Sequence, residues 1–128
     1  MKAHLIFSLL LLLSLGSTRA ADVCVSERDT GKKIVLHCGD ILVVRLPASP
    51  TTGYAWNLSI SPSDLLIQEK APQYQPSDSA GKLLGSGGFE CWRFRFTKPG
   101  IARLSFAYAR PWEKGVPPVR QLDFSVRQ

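Results

Sequence analysis

The sequence has 128 residues, 16 Lys and Arg against 10 Asp and Glu, three cysteines and two histidines. That length fits one small domain and leaves no room for a second. The positive charge is modest and scattered, which excludes a nucleic-acid footprint as the organising feature.

The first element is a leader. Lys2 precedes an apolar run over residues 5–15, and Gly16-Ser17-Thr18-Arg19-Ala20 supplies small residues, with Thr18 and Ala20 at positions −3 and −1 of a cut. This reads as a secretory signal peptide over residues 1–20. The run is shorter than the about 20 residues that span a bilayer, and no later stretch reaches that length. An exported domain over residues 21–128 is therefore expected, secreted or periplasmic and without a membrane segment after cleavage. Its balance falls to 14 basic against 10 acidic residues, or +4, and His37 is its single histidine. One histidine leaves little from which to build a catalytic triad or a zinc site.

Cys24, Cys38 and Cys91 lack any Cys-x-x-Cys spacing, which speaks against structural zinc and thioredoxin-like redox chemistry. In an oxidising compartment two of them are expected to pair, and Cys24 with Cys38 is the candidate disulfide.

Period-two alternation recurs along the rest of the chain, with helical periodicity nowhere beyond a turn. Val23 begins a short strand, and residues 28–32 form a turn. Ile34, Leu36 and Cys38 share one face of the next strand, and Gly39-Asp40 bends the chain. Leu42, Val44 and Leu46 alternate with Ile41, Val43 and Arg45 until Pro47 ends the ladder. Trp56, Leu58 and Ile60 form another inward row, and residues 65–70 a further short strand. Residues 71–88 are rich in Pro, Ser, Gly, Gln and Asp and form the one long connection, a length that marks a functional or disordered loop. Trp92, Phe94 and Phe96 then alternate with Cys91, Arg93 and Arg95, which points Cys91 outward unless that face is covered. Ala102, Leu104, Phe106 and Tyr108 make the next strand, and Leu122, Phe124 and Val126 the last. Seven to eight short strands separated by turn signals fit an all-β, immunoglobulin-like sandwich.

Three loops carry the functional signal. Ala48-Ser49-Pro50-Thr51-Thr52-Gly53-Tyr54 combines a fixed φ at Pro50, two hydroxyls and a glycine open to positive φ or close approach. Leu83-Leu84-Gly85-Ser86-Gly87-Gly88 is glycine-rich, but no helix and no Gly-Lys-Ser/Thr follows, so it is not a nucleotide loop. Arg110-Pro111-Trp112, followed by Pro117-Pro118, places on a loop the two residue types most often found as binding hot spots.

The order Pro50-Thr51-Thr52-Gly53-Tyr54, Leu83-Leu84-Gly85-x-Gly87-Gly88 and Tyr108-x-Arg110-Pro111-Trp112 resembles the chagasin family of cysteine-peptidase inhibitors. Tyr74-x-Pro76-x-Asp78-Ser79 in the long connection adds to the likeness, which runs from about Ile34 to Val126. Ser49 departs from it, standing where the family usually has Asn, a stronger local turn former. The resemblance implies a reversible inhibitor of papain-like cysteine peptidases, needing no cofactor or metal and acting as a monomer. Pro50, Thr51, Thr52 and Gly53 would enter the cleft, with Tyr54 packed beneath. Gly85, Gly87 and Gly88, with Leu84 reaching an apolar pocket, would lie along one side. Arg110 and Trp112 would grip the other, with Pro111 restricting the loop.

Two other classes are weighed against this. An enzyme would have to join Cys91 with His37, which lie on different strands. An adhesion or carbohydrate-binding sandwich would use Trp112 as a platform. Asn57-Leu58-Ser59 is a glycosylation sequon, meaningful only in a eukaryotic secretory route.

Overall fold

The computed structural model describes residues 20–77 and 87–128. Residues 1–19, which hold most of the leader expected over residues 1–20, Asp78 and Ser79, and residues 80–86, with Leu84 and Gly85 among them, lie outside the described residues. Nine strands are present among those described: β1 (Asp22–Ser26), β2 (Lys33–Val35), β3 (Ile41–Ala48), β4 (Ala55–Ser61), β5 (Leu66–Gln68), β6 (Gln73–Pro76), β7 (Gly88–Phe96), β8 (Ile101–Ala109) and β9 (Arg120–Arg127). One sheet has the order β1-β3-β7-β5, with β6 also on β7, and the other β2-β9-β8-β4. The chain changes sheet after β1, β2, β3, β4 and β7, so each sheet collects strands distant in sequence and the two must close over a shared core.

Alternation decides which face is buried. Leu42, Val44 and Leu46 of β3, Phe94 of β7, Leu104 and Phe106 of β8, and Val126 of β9 are wholly buried between the sheets. Phe106 is the hub. Its ring meets those of Trp92 (5.3 Å), Phe124 (6.1 Å), Phe94 and Trp56 (both 6.4 Å) at steep angles. Edge-to-face pairs of this kind add about 0.5–1.5 kcal/mol each beyond area burial.

Four expectations need correction. Pro47 does not end its strand: β3 continues to Ala48, with Pro47 opposite Phe89. The neighbouring β1 pairs with β3 only as far as Arg45, so Pro47 falls where β3 has a strand on one side alone and its missing N–H costs no ladder bond. The long connection contains a strand, β6, which pairs with β7 from Gln73 opposite Cys91 to Pro76 opposite Gly88. Its residues are all exposed, so no apolar alternation announces it. Cys38 does not continue the buried face of Ile34 and Leu36. It is exposed in the turn after β2.

Cys24 and Cys38 are not bridged. A Cβ on Gly39 would lie 3.6 Å from that of Ala20, which brings the Cys38 turn beside the residue four positions before Cys24. Four extended residues span about 13 Å, whereas bridged Cα atoms lie about 4.4–6.8 Å apart. Cys91 is half-buried, its thiol 3.8 Å from Gln75 Oε1 of β6, so the added strand is what partly covers that face.

Asp40, only 5% exposed, organises the turn into β3. Its Oδ1 accepts the Ala21 N–H (3.0 Å) and its Oδ2 the His37 N–H (2.9 Å). The Ala21 bond first, and then the His37 bond, hold the carboxyl below its ordinary value of 3.8. A group lowered in this way stabilises the fold above its unfolded pKa, and the contribution is lost as pH falls through the folded one. In Asp40→Asn an amide nitrogen would face one of the two N–H donors. The variant is expected to unfold more readily than wild type at pH 7, with the gap narrowing as pH falls below about 4. Urea midpoints measured across that range check this.

Glu90 shares the inward phase of Trp92 on β7 and lies opposite Leu46. Burial pushes its carboxyl above 4.5, opposed by the indole N–H of Trp92. The buried Trp92 Nε1 stays short of hydrogen-bond geometry among the described residues, and burial is the larger effect on Glu90. The ionised form is therefore disfavoured in the fold, and its cost is present above the folded pKa and absent once both states are protonated. Glu90→Gln should raise the urea midpoint at pH 7 and leave it near the wild-type value at pH 3.

Candidate functional site

The strand register gathers three connections at one end of the sandwich. Ala48, at the end of β3, lies opposite Gly88 at the start of β7, and Ala55, at the start of β4, opposite Ala109 at the end of β8. Residues 49–54, the segment entering β7 and residues 110–119 therefore leave the sheets on the same side.

The first of these is a 3-10 turn, Pro50–Thr52. Ser49 O accepts the Thr52 N–H (3.0 Å) and the Thr52 hydroxyl (2.6 Å), and Pro50 O accepts the Gly53 N–H (3.1 Å). Gly53 ends the turn at φ 80°, a conformation costly for any residue with a Cβ. A Cβ there would also collide with the Trp112 indole at Cη2. Two independent constraints thus select glycine at this position. Thr51 and Thr52 are exposed at the tip. The Thr52 hydroxyl is directed inward to Ser49 O, so Thr51 presents the freer of the two.

The ends of the turn are pinned by aromatic side chains. Trp56 and Tyr108 are opposite each other in the β4–β8 register. Their rings stack at 4.5 Å, and Tyr54 also stacks on Tyr108, at 5.3 Å. From this stack the Trp56 Nε1–H donates to Pro47 O (2.9 Å), and the Tyr108 hydroxyl oxygen accepts the Ser49 N–H (3.1 Å). Tyr54 is half-buried.

The Arg110-Pro111-Trp112 segment braces the same turn. Arg110 lies over the Tyr54 ring at 4.4 Å, donates from Nε to Thr52 O (3.1 Å) and pairs through Nη1 with Glu113 (3.2 Å). Two of its three nitrogens are therefore used inside the chain. Pro111 is exposed, and Glu113 N–H closes the turn onto Arg110 O (3.2 Å). Trp112 meets Gly53 with the Cη2 edge of its indole and is still 66% exposed.

Gly87 and Gly88 are selected by close packing. A Cβ on Gly87 would lie 2.8 Å from Ala48 O, and one on Gly88 would collide with Gln75 O and approach the Tyr74 hydroxyl at 2.9 Å. Gly87 thus sits against the root of the first turn, and Gly88 against β6. A cavity of about 350 Å³ lies there, lined by Pro47, Ser49, Gly87, Phe89, Tyr108 and Arg120 among others.

Sequence reasoning missed Tyr108, Trp56 and Glu113 as parts of this site. Tyr108 and Trp56 were read as inward strand residues, which they are. Only the register shows that their polar ends reach the turn. The Cys91 and His37 pair of the enzyme reading does not form: Cys91 lies in mid-sheet opposite Arg45, and the His37 side chain is 87% exposed in the turn before β3. No group of three metal-ligating side chains occurs among the described residues.

The sequence profile of the chagasin family peptidase inhibitors, I42, matches residues 35–126. The chain is 31% identical over 126 residues to amoebiasin-2 of Entamoeba histolytica, covering 98% of each. It is 32% identical over 92 residues to chagasin of Trypanosoma cruzi, covering 69% of this chain and 81% of that one. Among solved structures it resembles the cysteine protease inhibitor EhICP2 of E. histolytica, with a TM-score of 0.72 and 25% identity over 84% of this chain and 95% of the other. With the profile, the fold and these relatives in agreement, the chain belongs to the chagasin family of peptidase inhibitors, proteins that block a peptidase and are not themselves enzymes.

Proposed function

We propose that this protein is an exported, reversible inhibitor of papain-like cysteine peptidases that closes the active-site cleft with the loops at one end of the sandwich. The observation that carries the reading is the braced wedge itself. The exposed Thr51-Thr52 tip and the half-buried Gly53 are held by Trp112 at Gly53, by Tyr108 at Ser49 and by Arg110, itself over Tyr54, at Thr52. The relatives named as cysteine protease inhibitors support the choice of target class.

The target chemistry fits this shape. A cysteine peptidase holds a thiolate beside an imidazolium at the floor of a narrow cleft, and a nucleophile of that kind attacks a peptide carbonyl only when it is correctly presented. A tight 3-10 turn presents polar backbone and the Thr51 hydroxyl without the extended geometry that a substrate strand offers. The wedge therefore fills the cleft while its peptide bonds stay out of line for attack. Trp112 supplies an exposed indole for the apolar shoulder of the cleft, and Gly87 and Gly88 offer backbone beside the root of the wedge. One copy carries all of these loops, so inhibition requires no second chain.

The bracing lowers the ordering cost of binding, because few rotors are immobilised on contact. A footprint of about 800 Å² per partner is the usual requirement for a stable complex. Export follows from the leader, and among the described residues no helix is long and apolar enough to cross a membrane.

Trp112→Ala should weaken inhibition of papain by about 2 kcal/mol or more, as expected of a central aromatic contact. Equal inhibition constants for the variant and wild type, with matching melting curves, would remove Trp112 from the contact set. Failure of the wild-type protein to inhibit papain and other papain-like peptidases would overturn the proposal as a whole. Tyr108→Phe keeps the ring stack and removes the acceptor for Ser49 N–H, at a cost of about 1 kcal/mol. It should raise the inhibition constant about fivefold while the circular dichroism spectrum is unchanged.

A further inference from the structure

The outward faces of the two sheets differ in how their charges are balanced. On the first sheet, Arg93 and Arg95 of β7 face outward, and each is paired with a carboxylate, Asp22 (3.2 Å) and Glu69 (3.5 Å). Arg45 of β3 lies over the Phe89 ring at 3.7 Å. On the second sheet, the outward residues of β2, β9 and β8 form two rows at the end away from the loops. Lys33 is opposite Ser125, and Ser125 is opposite Arg103. One row further on, Val35 is opposite Arg127, and Arg127 is opposite Ile101. These residues alternate with the buried Ile34, Ala102 and Val126, which fixes them on the outer face.

Lys33, Arg103 and Arg127 are exposed, and among the described residues none of the three side chains has a hydrogen bond or an ion pair. Strand spacings of about 4.8 Å and a rise of about 6.7 Å per row place their Cα atoms within about 10 Å of one another. The one side-chain carboxylate among the described residues on this outward face, Asp123, stands a row nearer the loops and accepts the Ser105 hydroxyl (2.8 Å). Val35 and Ile101 are 55% and 63% exposed, one on each side of Arg127. Three like charges without a counter-charge and two aliphatic side chains without a cover therefore share one patch. Between and beside them stand only the short side chains of Ser125 and Ser61.

We propose that this patch docks the protein on an anionic lipid surface. Lys33, Arg103 and Arg127 meet the headgroup phosphates, and Val35 and Ile101 enter the boundary between headgroups and acyl chains. Both halves of the patch find a counterpart there. The headgroups supply the negative charge that the chain itself does not, and each Lys or Arg held near such a surface strengthens binding about fivefold. The aliphatic side chains gain by leaving water for the acyl boundary. They would gain nothing from a hydrated sulfated polysaccharide, the other polyanion that the charges alone would fit. The contact is peripheral, with no strand entering the bilayer, and salt reverses it because the cations are exposed.

Arg103 lies six residues before Ala109, which is opposite Ala55 at the loop end. That is about 20 Å along β8. A lipid surface seated on the patch leaves the wedge uncovered, so the test needs no peptidase and the proposal stands or falls independently of inhibition. At low ionic strength the purified protein should sediment with vesicles of phosphatidylglycerol and phosphatidylcholine in equal parts. It should stay in solution with phosphatidylcholine alone, and molar sodium chloride should release it from the anionic vesicles. Arg103→Gln and Arg127→Gln should each lower the partition coefficient about fivefold, whereas Arg103→Lys, which keeps the charge, should bind as wild type. Lys114→Gln makes the same change of charge in the connection at the loop end and should also bind as wild type. Ile101→Ser should weaken vesicle binding several-fold and leave retention on immobilised heparin unchanged. Melting curves check that each variant is folded. Retention on heparin without binding to the anionic vesicles would assign the cations to a polysaccharide and overturn the proposal. So would a Lys114→Gln loss equal to that of Arg103→Gln, or full vesicle binding by Ile101→Ser.

Discussion

The hydrogen bonds from the Trp56 indole to Pro47 O and from the Ser49 N–H to the Tyr108 hydroxyl are the contacts on which the loop end depends. Pro47 belongs to one sheet, while Trp56 and Tyr108 belong to the other. The stack of Tyr54, Tyr108 and Trp56 therefore does two things with one set of rings. It closes the end of the core, and it fixes the two roots of the wedge relative to each other across the sheet gap. A turn hung only between two strands in different sheets would inherit any sliding of those sheets. One donor, the Trp56 indole, and one acceptor, the Tyr108 hydroxyl, placed two residues apart along its entry segment remove that freedom. Fixed aromatic rings reach these points at low entropy cost, since Tyr and Trp have few rotors to order.

The same economy explains Arg110. A guanidinium over Tyr54 that also donates to Thr52 O ties the third connection to the first, and Glu113 fixes its remaining orientation. Planar, multiply bonded placement is the use to which Arg is suited and Lys is not. It follows that the Arg110-Pro111-Trp112 motif divides its labour. Arg110 and Pro111 shape the free protein, and Trp112 both meets Gly53 and carries the exposed apolar surface.

Much of the fold was legible because a sandwich with both inner faces buried writes a period of two into every long strand. Leu42, Val44 and Leu46, or Trp92, Phe94 and Phe96, admit hardly any other reading. The misreadings occur where that coupling between burial and sequence is absent. β6 is exposed along its length and exists because β7 offers it a free edge, a tertiary cause with no local signature. Pro47 was read as a stop because a proline blocks an internal ladder, yet whether β3 is internal at that point depends on where β1 ends. Asp40 occupies a buried position that alternation would give to an apolar residue, and only its two backbone donors explain it. Cys24 and Cys38 were paired by counting, which contains no distances.

The site was legible in a different sense. The motifs named the loops, but not which of their atoms face outward. Gly87 and Gly88 looked like free backbone and are packing glycines, and Thr52 looked like a presented hydroxyl and is turned inward. Ser49 is the most informative case. Replacing an Asn at the start of the turn would weaken the loop if that residue acted through its side chain, as Asn does in a local side-chain turn. Here the Ser49 side chain makes no capping bond. Its N–H goes to Tyr108 and its C=O takes both donors of Thr52, so its contribution comes from the backbone. A backbone role is indifferent to the exchange of Asn for Ser. The rigidity of this wedge therefore lies in Tyr108, Trp56 and Arg110, which the exchange leaves untouched.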